Sequence, residues 1–591
     1  MNKFKFLPLA LATVLFSACA TDDTPDSKND GSEVSYLSVN LMNVGEAPGT
    51  RAEYTESGTY EDGSDAESKI NSVRFYFFNS DGSPYILRGT NKNWMSPNDD
   101  INGNNNDHGQ TTEKISQTVL VIDGEERTAP HSVVAIINPN ALGNDLKNTL
   151  GNGAQPLSNM REILDNKFYD GNGAKASNFV MSNSVYVSAG AEVCATQVSG
   201  HVATSAEAAN SNPIEIYVER VAAKVSASLE EGDGKWTKGS ASTWGEGKYA
   251  YKLSEKLNSK YDVYAVFEGW GVADENGRAT VEKTISATWN SNELGISPWT
   301  TADYHRCFWS NSVNFGTDMG GNSMNQPINH NYNAISSTLD APVYTLPNTP
   351  NAVGDFGDPM ENNLTKFIIA ARLVYQDDQG QWKNAEICQF KGIQYLGADE
   401  VLKVVANENK KYCRKSTGDD GATYTSLTPA DYEFSTSAPT GSSLTLKDYE
   451  VIPQIKSSVA DDIYEVTTDG DGHVTSAKQV QLSDVNKTIA TSANIAQVRT
   501  EGRVYYYTPI RHLATDKTKL GYYGVVRNHS YKINVTSVNG FGTPVFDPSK
   551  VIDPTLPSEN NSYLSARINV LSWRVVKSNV DLDSNSGNTH K

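Results

Sequence analysis

Arg51 is the residue most open to covalent chemistry from outside the molecule. It lies in residues 45–53, which contain glycine and proline but no bulky apolar side chain, as is typical of exposed and easily cut chain. A trypsin-like protease would cut after Arg51 and leave Ala52 as the first residue of the product. The alternative is an ordinary surface arginine in a loop, which would be preferred if no other feature accompanied it.

No common catalytic motif occurs in the sequence. We find no Gly-x-Ser-x-Gly elbow, no His-Glu-x-x-His pair, no phosphate-binding Gly-Lys-Ser/Thr loop and no dinucleotide-binding glycine pattern. Residues 100–104 and 469–472 weakly resemble calcium loops, but turn chemistry explains both more simply. The histidines His305, His512 and His529 and the neighbouring Arg511 are expected in packing or turn roles. We therefore expect no enzyme, no catalytic residue, no metal site and no cofactor.

The N-terminus predicts export. Lys3 and Lys5 precede an apolar run at 6–16 that is too short to span a bilayer and has the order of a secretion signal. Small residues then precede Cys19, which resembles the lipobox where bacterial lipoproteins are cut and acylated. The resemblance implies that Cys19 carries the lipid, palmitate included, and becomes residue one. A plain signal peptide with an incidental cysteine is the alternative, and the polar residues 21–32 would serve as a tether.

The other four cysteines do not form a metal or redox pattern. Cys194, Cys307, Cys388 and Cys413 contain no Cys-x-x-Cys pair. An exported protein could oxidise Cys388 with Cys413, and we keep that disulfide as a hypothesis.

Composition favours strands and excludes one class of partner. The 591 residues include 29 tyrosines and 45 glycines, which suits short strands and tight turns and predicts an all-β, or at least β-dominated, protein of two or more units. The net charge of -20 would repel the phosphates of a nucleic acid. We therefore expect no nucleic-acid partner.

Hydrophobic patterning predicts where the strands lie. We expect strands at 35–41, 73–78, 132–137, 214–225, 261–267, 367–375, 401–405 and 503–512, and a helix near 159–164. A change to Gly-, Ser- and Trp-rich sequence at 226–249 indicates a domain boundary. Prolines in 542–561 predict an extended linker that holds the following segment away from a central sheet.

Two distant strands carry the same pattern. Residues 35–38 and 562–565 are both Ser-Tyr-Leu-Ser, and the alternating apolar residues that follow match in spacing and type. In the first strand these residues are Leu37, Val39 and Leu41, and in the second they are Leu564, Ala566, Ile568 and Val570. After Val570 the alternation changes phase, as it would at a β-bulge, and the apolar residues are then Leu571, Trp573 and Val575. Periodicity alone leaves a second interpretation open, in which the last strand closes the chain's own second domain.

Cleavage after Arg51 would remove the first strand and leave unpaired backbone on both sides of an empty groove. The C-terminal strand of another copy could fill that groove. The contact runs head to tail and never closes on itself, so repetition would give a filament.

The chain resembles the fimbrillins of Bacteroidales, the major subunits of type V pili, and in particular the short-fimbria branch. The resemblance rests on Cys19, Arg51, the segments 218–224, 304–310, 525–531 and 540–545, and the ending 570–573. It implies two transthyretin-like β-sandwich domains, transport to the outer membrane of a Gram-negative bacterium, cleavage by an arginine-specific protease and donor-strand polymerisation at the cell surface. The implied partners are copies of the chain, accessory tip and anchor subunits, and the membrane before processing.

The resulting organisation has six parts. These are a lipoprotein signal at 1–19, a propeptide with tether and removable strand at 20–51, an N-terminal domain at 52–225, a C-terminal domain at 226–541, a linker at 542–561, and a donor strand with a polar tail at 562–591. Two alternatives remain. One is a surface lipoprotein that binds glycans through Trp94, Trp270 and Trp299, and the other is an adhesive tip or accessory subunit.

Overall fold

Strands dominate the structure, a computed structural model, and the β-dominated prediction is confirmed. The structure describes residues 35–43, 60–96, 117–125, 128–139, 145–188, 191–285, 292–295, 309–313, 327–350, 364–418, 421–554 and 563–574. Within these ranges no helix is both long and apolar enough to cross a membrane.

The first half of the chain builds one sheet with a hydrophobic core on each face. Its strands and those near it are β1 (Ser35–Asn43), β2 (Tyr60–Asp62), β3 (Val73–Phe78), β4 (Trp94–Met95), β5 (Gln117–Ile122), β6 (Ser132–Ile137), β7 (Leu164–Asp165), β8 (Met181–Asn183), β9 (Tyr186–Ser188), β10 (Ala191–Val193), β11 (Thr196–Gln197), β12 (Val202–Ala203) and β13 (Ile214–Arg220). The sheet order is β12-β1-β13-β8-β6-β3-β4, with β5 added beside β1 and β11 beside β6. Alternate residues of β3 and β6 point to opposite faces, and both faces are buried because both strands are almost wholly apolar.

The second half contains a sandwich of two sheets. Its strands, with those of an inserted unit, are β14 (Ala223–Leu229), β15 (Thr237–Lys238), β16 (Tyr249–Leu257), β17 (Tyr261–Ala273), β18 (Ala279–Thr280), β19 (Val343–Thr345), β20 (Lys366–Gln376), β21 (Trp382–Asn384), β22 (Ile387–Phe390), β23 (Ile393–Leu396), β24 (Tyr412–Gly418), β25 (Gly421–Ser426), β26 (Tyr432–Ser435), β27 (Ile452–Ile455), β28 (Ile463–Thr468), β29 (Val474–Gln479), β30 (Ala496–Val498), β31 (Arg503–Pro509), β32 (His529–Asn539), β33 (Thr543–Pro544) and β34 (Tyr563–Arg574). The sheet β19-β14-β32-β34-β2 packs on the sheet β15-β16-β17-β20-β31-β33 around one core that includes Trp236, Trp270 and Leu564.

Residues 387–498 form a separate hydrophobic unit inserted between β21 and β31. Three small sheets and two helices surround its own core. The helices of the described residues are α1 (Asp65–Ser68), α2 (Asp145–Leu150), α3 (Leu157–Met160), α4 (Ala206–Asn210), α5 (Ala398–Glu408) and α6 (Leu482–Ile489). This third unit was not predicted from the sequence.

Several local predictions need correction. The strand expected at 401–405 is part of α5, because Val401, Leu402, Val405 and Ala406 all face the core at helical spacing. The helix expected near 159–164 ends at Met160.

The strand expected at 214–225 is two strands in different sheets, since β13 ends at Arg220 and β14 begins at Ala223. The expected phase change at 570–571 does not occur either. The register instead shifts in the partner strand β32, between Val535 and Ser537.

The disulfide hypothesis was wrong, because Cys388 and Cys413 are both free and buried. They lie in β22 and β24, which belong to different sheets. The segment 469–472 is a hairpin turn between β28 and β29, in which Asp469 Oδ1 accepts hydrogen bonds from the backbone N–H groups of Asp471 and His473 at 3.0 and 2.8 Å.

Candidate strand-exchange site

The first predicted strand, β1, lies inside the N-terminal sheet. On one side it pairs antiparallel with β5 over six residue pairs, from Ser35 opposite Ile122 to Asn40 opposite Gln117. On the other side it pairs first with β12 and then, in parallel, with β13 over five residue pairs. Both edges of β1 are therefore hydrogen-bonded, as expected for a strand that fills a groove.

The side chains of β1 contribute to the core of the same domain. Leu37 and Val39 are fully buried, and they pack in a cluster with Leu120, Ile122 and Ile214 from the flanking strands. For Leu41 the structure gives the backbone register, opposite Ile216 of β13. Burial of each aliphatic side chain contributes about 1.5 to 3 kcal/mol, so β1 stabilises the domain through packing as well as through its hydrogen bonds.

Strand β5 depends on β1 for its place in the sheet. Within the described ranges, β1 is the only strand with which β5 pairs. Its run of Thr118, Val119, Leu120, Val121 and Ile122 would be left at an unpaired edge if β1 were removed. Strand β5 was not predicted from the sequence, although its β-branched residues are typical of a strand.

The second predicted strand, β34, lies in the chain's own second domain. It pairs antiparallel with β32 over ten residue pairs, and Leu564 is 8% exposed in the core of the sandwich. Its C-terminal end also pairs in parallel with β2, where Tyr60 lies opposite Ser572. The expectation that the linker holds this strand away from its own domain therefore does not describe this structure. The pattern of alternating apolar residues suits either groove, which is why periodicity could not decide between them.

The register places the other donor-strand residues without describing their side chains. Ala566 lies opposite Val535, Ile568 opposite Ile533, Val570 opposite Tyr531 and Leu571 opposite Ser530. Trp573 lies opposite Glu61 of β2. Val575 lies outside the described residues, as do Cys19, Arg51, Ala52 and Trp299.

The linker begins against the second domain. Thr543 and Pro544 pair with Tyr505 and Val504 at the edge of the larger sheet, and Val545 and Ile552 are buried. An edge is the place in a sheet that tolerates proline, since its missing N–H costs no ladder hydrogen bond there.

A buried polar junction joins the two domains, and two of the segments singled out in the sequence meet there. Arg220 is the last residue of β13, and its backbone N–H and Nη1 both donate to Asn528 Oδ1, at 3.2 and 3.3 Å. Asn528 N–H donates in turn to the carbonyl of Ala222 at 3.0 Å. Asn528 has a positive φ of 55°, which asparagine tolerates better than most residues. This junction fixes the change from the first sheet to the second.

Glu67, which lies in helix α1, is also part of this junction. Its carboxylate forms an ion pair of 3.0 Å with Lys224, and the hydroxyl of Tyr344 donates to it. Burial alone would raise the pKa of Glu67, but the hydrogen bond from Tyr344 and the charge of Lys224 outweigh it and lower the pKa from 4.5. Arg220 Nε also donates to the Glu67 carbonyl at 2.8 Å. Residue spacing gave no signal for Glu67, since its partners lie far away along the chain.

The residues considered for other functions have structural roles. Trp94 is 8% exposed and Trp270 is fully buried, so neither forms a surface for stacking sugars. His512 and His529 are buried and hydrogen-bonded, to the hydroxyl of Tyr531 and the carbonyl of Arg527 respectively. Among the described residues no cluster of His, Cys, Asp and Glu could hold a metal ion.

Comparison with known families identifies the C-terminal part of the chain. Residues 498–579 match the family described as major fimbrial subunit protein type IV, fimbrillin, C-terminal. The matched segment contains β31, β32, β33 and β34, so it includes the C-terminal strand and the strand that holds it. The predicted resemblance to fimbrillins is thereby confirmed for this segment.

Several solved structures are similar to this chain over most of its length, at low sequence identity. A candidate cell adhesion protein from Bacteroides eggerthii is 10% identical, with a TM-score of 0.33 over 93% of this chain and 98% of that chain. One from Parabacteroides distasonis is 9% identical, with a TM-score of 0.31 over 92% and 97%. The tip fimbrial protein Mfa3 from Porphyromonas gingivalis, with a C-terminal truncation, is 10% identical, with a TM-score of 0.28 over 91% and 99%. A search of curated proteins found no match.

Proposed function

We propose that the chain is the structural subunit of a pilus stalk at the cell surface, exported as a lipoprotein precursor, cleaved after Arg51 and polymerised by donor-strand exchange. The polymer would support adhesion. The observation that carries this proposal is the position of β1, whose two edges are both paired and whose Leu37 and Val39 are fully buried. In this proposal β1 occupies the groove of the precursor until the protease removes it.

Removal of β1 would create a site that another strand must fill. The groove would be bounded by β5 on one side and by β12 and β13 on the other, with apolar side chains at its floor. Unpaired backbone N–H and C=O groups along both sides of the groove, next to exposed apolar surface, favour the addition of a strand.

The C-terminal strand has the residues to replace β1. Aligning the two Ser-Tyr-Leu-Ser segments puts Leu564 in the place of Leu37, Ala566 in the place of Val39 and Ile568 in the place of Leu41. In this register Ala566 of one molecule would lie opposite Thr118 in β5 of the next. The donor would then use the same hydrogen-bonding sites as β1.

Strand exchange requires β34 to leave its own domain first. In the single chain β34 has ten pairs with β32 and a shorter contact with β2. The donor strand is therefore paired within its own sheet before exchange. We expect the breaking of these pairs to be the slow step of assembly. Only chains that have lost β1 offer a vacant groove, so cleavage controls when the released strand finds a partner.

A stalk subunit needs both a groove that cleavage opens and a strand that it donates, whereas a tip or base subunit needs only one of the two. This chain has both a removable first strand and a matching last strand, which favours the repeating stalk. Its partners would be copies of itself, accessory tip and anchor subunits, an arginine-specific protease and, before processing, the outer membrane through the lipid at Cys19.

The proposal is tested by limited trypsin digestion of the chain from Ala20 onward, followed by N-terminal mass analysis and sizing on a gel without boiling. We expect a new terminus at Ala52 together with ladders of polymers. The variant Arg51→Ala should keep its first strand and stay monomeric, and a chain that lacks residues 562–591 should be cut but form no ladder. A stable monomer after cleavage at Arg51 of the full chain would contradict the proposal.

A further inference from the structure

Two side chains of opposite charge meet in the interior of the second domain. Asp274 directly follows β17, and Lys366 is the first residue of β20, the strand that pairs with β17. Lys366 Nζ donates a hydrogen bond to Asp274 Oδ2, and the two side chains are 0% and 1% exposed. Within the described part of the chain, Asp274 is the only hydrogen-bond acceptor for this amine.

Hydrogen bonds hold the carboxylate and the backbone of Asp274 in a fixed position. Asn329 Nδ2 donates to Asp274 Oδ1 at 2.8 Å, and Asp274 N–H donates to Asn329 Oδ1 at 2.7 Å. The Thr365 hydroxyl donates to the Asp274 carbonyl at 3.0 Å. One carboxylate oxygen is thus bound by the amide of Asn329 while the other faces the amine.

The surroundings of the pair are apolar. Lys366 alternates along β20 with Ile368 and Ala370, which lie on the same face of the sheet and pack with Ala273 and Ile552. Two charges are costly in such a place, and an amide bond between the two side chains would leave no charge there.

A third carboxyl group, Asp553, directly follows Ile552, which packs in one cluster with Ala273 and Ile368. Residues 328–331 connect the chain next to Asp274 with the chain next to Asp553, because Ile328 pairs with Glu275 and Asn331 pairs with Val551. Asp553 Oδ1 is buried and has no hydrogen-bond partner among the described residues. Burial, and then the charge of Asp274, raises the pKa of Asp553, while Lys366 acts in the opposite direction. Asp553 thus offers a buried carboxyl oxygen with no hydrogen-bond partner among the described residues, in the segment that packs beside Ala273.

We propose that Lys366 and Asp274 condense to form an intramolecular amide, with Asp553 as the acid–base group. Lys366 passes one proton to the Asp274 oxygen to which it is hydrogen-bonded, and its Nζ then attacks Cγ of Asp274. The protonated Asp553 stabilises the carboxyl oxygen as charge develops on it. Asp553 then relays a proton from the attacking nitrogen to the departing hydroxyl. The Nζ–Cγ bond forms, one Cγ–O bond breaks, and one water molecule leaves. No oxidant or further reactant is required.

The fold supplies what such a condensation needs. Hydrogen-bonded contact between the two groups makes the reaction intramolecular, which is equivalent to a very high effective concentration. The buried site excludes bulk water, which would otherwise compete in the reverse direction. Lys260 and Asp378 provide the contrast, since their charged atoms are 2.6 Å apart but their side chains are 55% and 57% exposed. We expect no bond between that pair.

The amide would lock the second domain at the point where its two central strands meet. Lys366 and Asp274 are 92 residues apart, and the bond would close the intervening chain into a covalent loop. Like a disulfide, such a link restricts the unfolded chain, but thiols do not reduce it. This inference does not depend on cleavage at Arg51 or on strand exchange.

The test begins with the intact mass of the reduced chain from Ala20 onward. We expect a mass lower than the sequence gives by one water molecule. Trypsin should then release residues 261–278 joined to residues 307–372, with no cut after Lys366. The peptide map must locate the bond because Lys283 and Glu219 form a second buried pair, 0% and 1% exposed.

Two variants assign the roles. Asp553→Asn nearly preserves shape and should shift most of the protein to the full, unreacted mass. Asp547→Asn, at an exposed aspartate in the same segment, should keep the lower mass. The full mass together with separate tryptic peptides in the unaltered protein would overturn the proposal, whether or not any variant folds. A linked peptide that persists undiminished in Asp553→Asn would overturn the role of Asp553.

Discussion

Leu37→Ala should destabilise the uncleaved chain and have no effect on the cleaved one. Leu37 is fully buried in β1 among Leu120, Ile122 and Ile214, so truncation loses transfer free energy and leaves a cavity. Substitutions of this kind cost about 2 to 5 kcal/mol, which is a factor of about 30 or more in the unfolding equilibrium. After cleavage at Arg51 the substituted residue is no longer part of the chain.

The assay is denaturant unfolding of the precursor, followed by the fluorescence of its tryptophans and by resistance to trypsin. Val121→Ala is the matched control, because Val121 lies in the adjacent strand β5 and is 47% exposed. That change should cost no more than about 0.5 kcal/mol. Leu564→Ala should destabilise the second domain of the precursor, where Leu564 is part of the core. Equal stabilities of Leu37→Ala and Val121→Ala precursors would refute the assignment of β1 to the core.

Three further predictions concern processing and the domain junction. Arg51→Lys should still be cut by trypsin but resist an arginine-specific protease, and equal cutting by both would show that the site lies elsewhere. Burial and the charge of Glu219 raise the pKa of Glu282 from 4.5 to about 8, against the effect of Arg527. The folded chain then keeps a proton that the unfolded chain releases, so this contribution to stability is complete below pH 4.5 and is lost as the pH rises to about 8. Glu282→Gln should flatten that decline in unfolding midpoints, and an unchanged slope would contradict it. Asn528→Gly keeps the positive φ but leaves Arg220 short of an acceptor, which should cost about 1 to 3 kcal/mol in chemical unfolding, whereas no loss would contradict the junction.

The sequence predicted the strands whose period is clear and whose length is typical. β3, β6 and β20 were expected within one or two residues, because continuous β-branched and aromatic residues leave few alternatives. The helix α5 was misread as a strand, since Val401, Leu402 and Val405 fit either element until the charged first turn is considered. Short apolar runs do not contain enough residues to separate the two periods.

Contacts between residues that are far apart in the sequence could not be predicted, for a different reason. Glu67 and Asn528 meet Arg220 only because helix α1, the end of β13 and the residue before β32 come together in the fold, and nothing in the spacing of these residues encodes that. The same holds for Asp274 and Lys366, which lie at the ends of paired strands. The matching pattern of the first and last strands was readable, but which groove the last strand occupies depends on the free energies of two complete sheets.

The most direct test of strand exchange asks where Ala566 lies after cleavage. Two double-cysteine variants share Ala566→Cys. One adds Thr118→Cys, which would face it in β5 of another molecule, and the other adds Val535→Cys, which faces it in β32 of the same molecule. We predict that oxidation after cleavage links Thr118→Cys chains into covalent ladders, and that oxidation before cleavage locks Val535→Cys chains as monomers that no longer polymerise. Two results together would contradict donor-strand exchange by the C-terminal strand. After cleavage the cysteines would form links within single molecules and none between molecules, and chains locked by the Val535→Cys link would still form ladders.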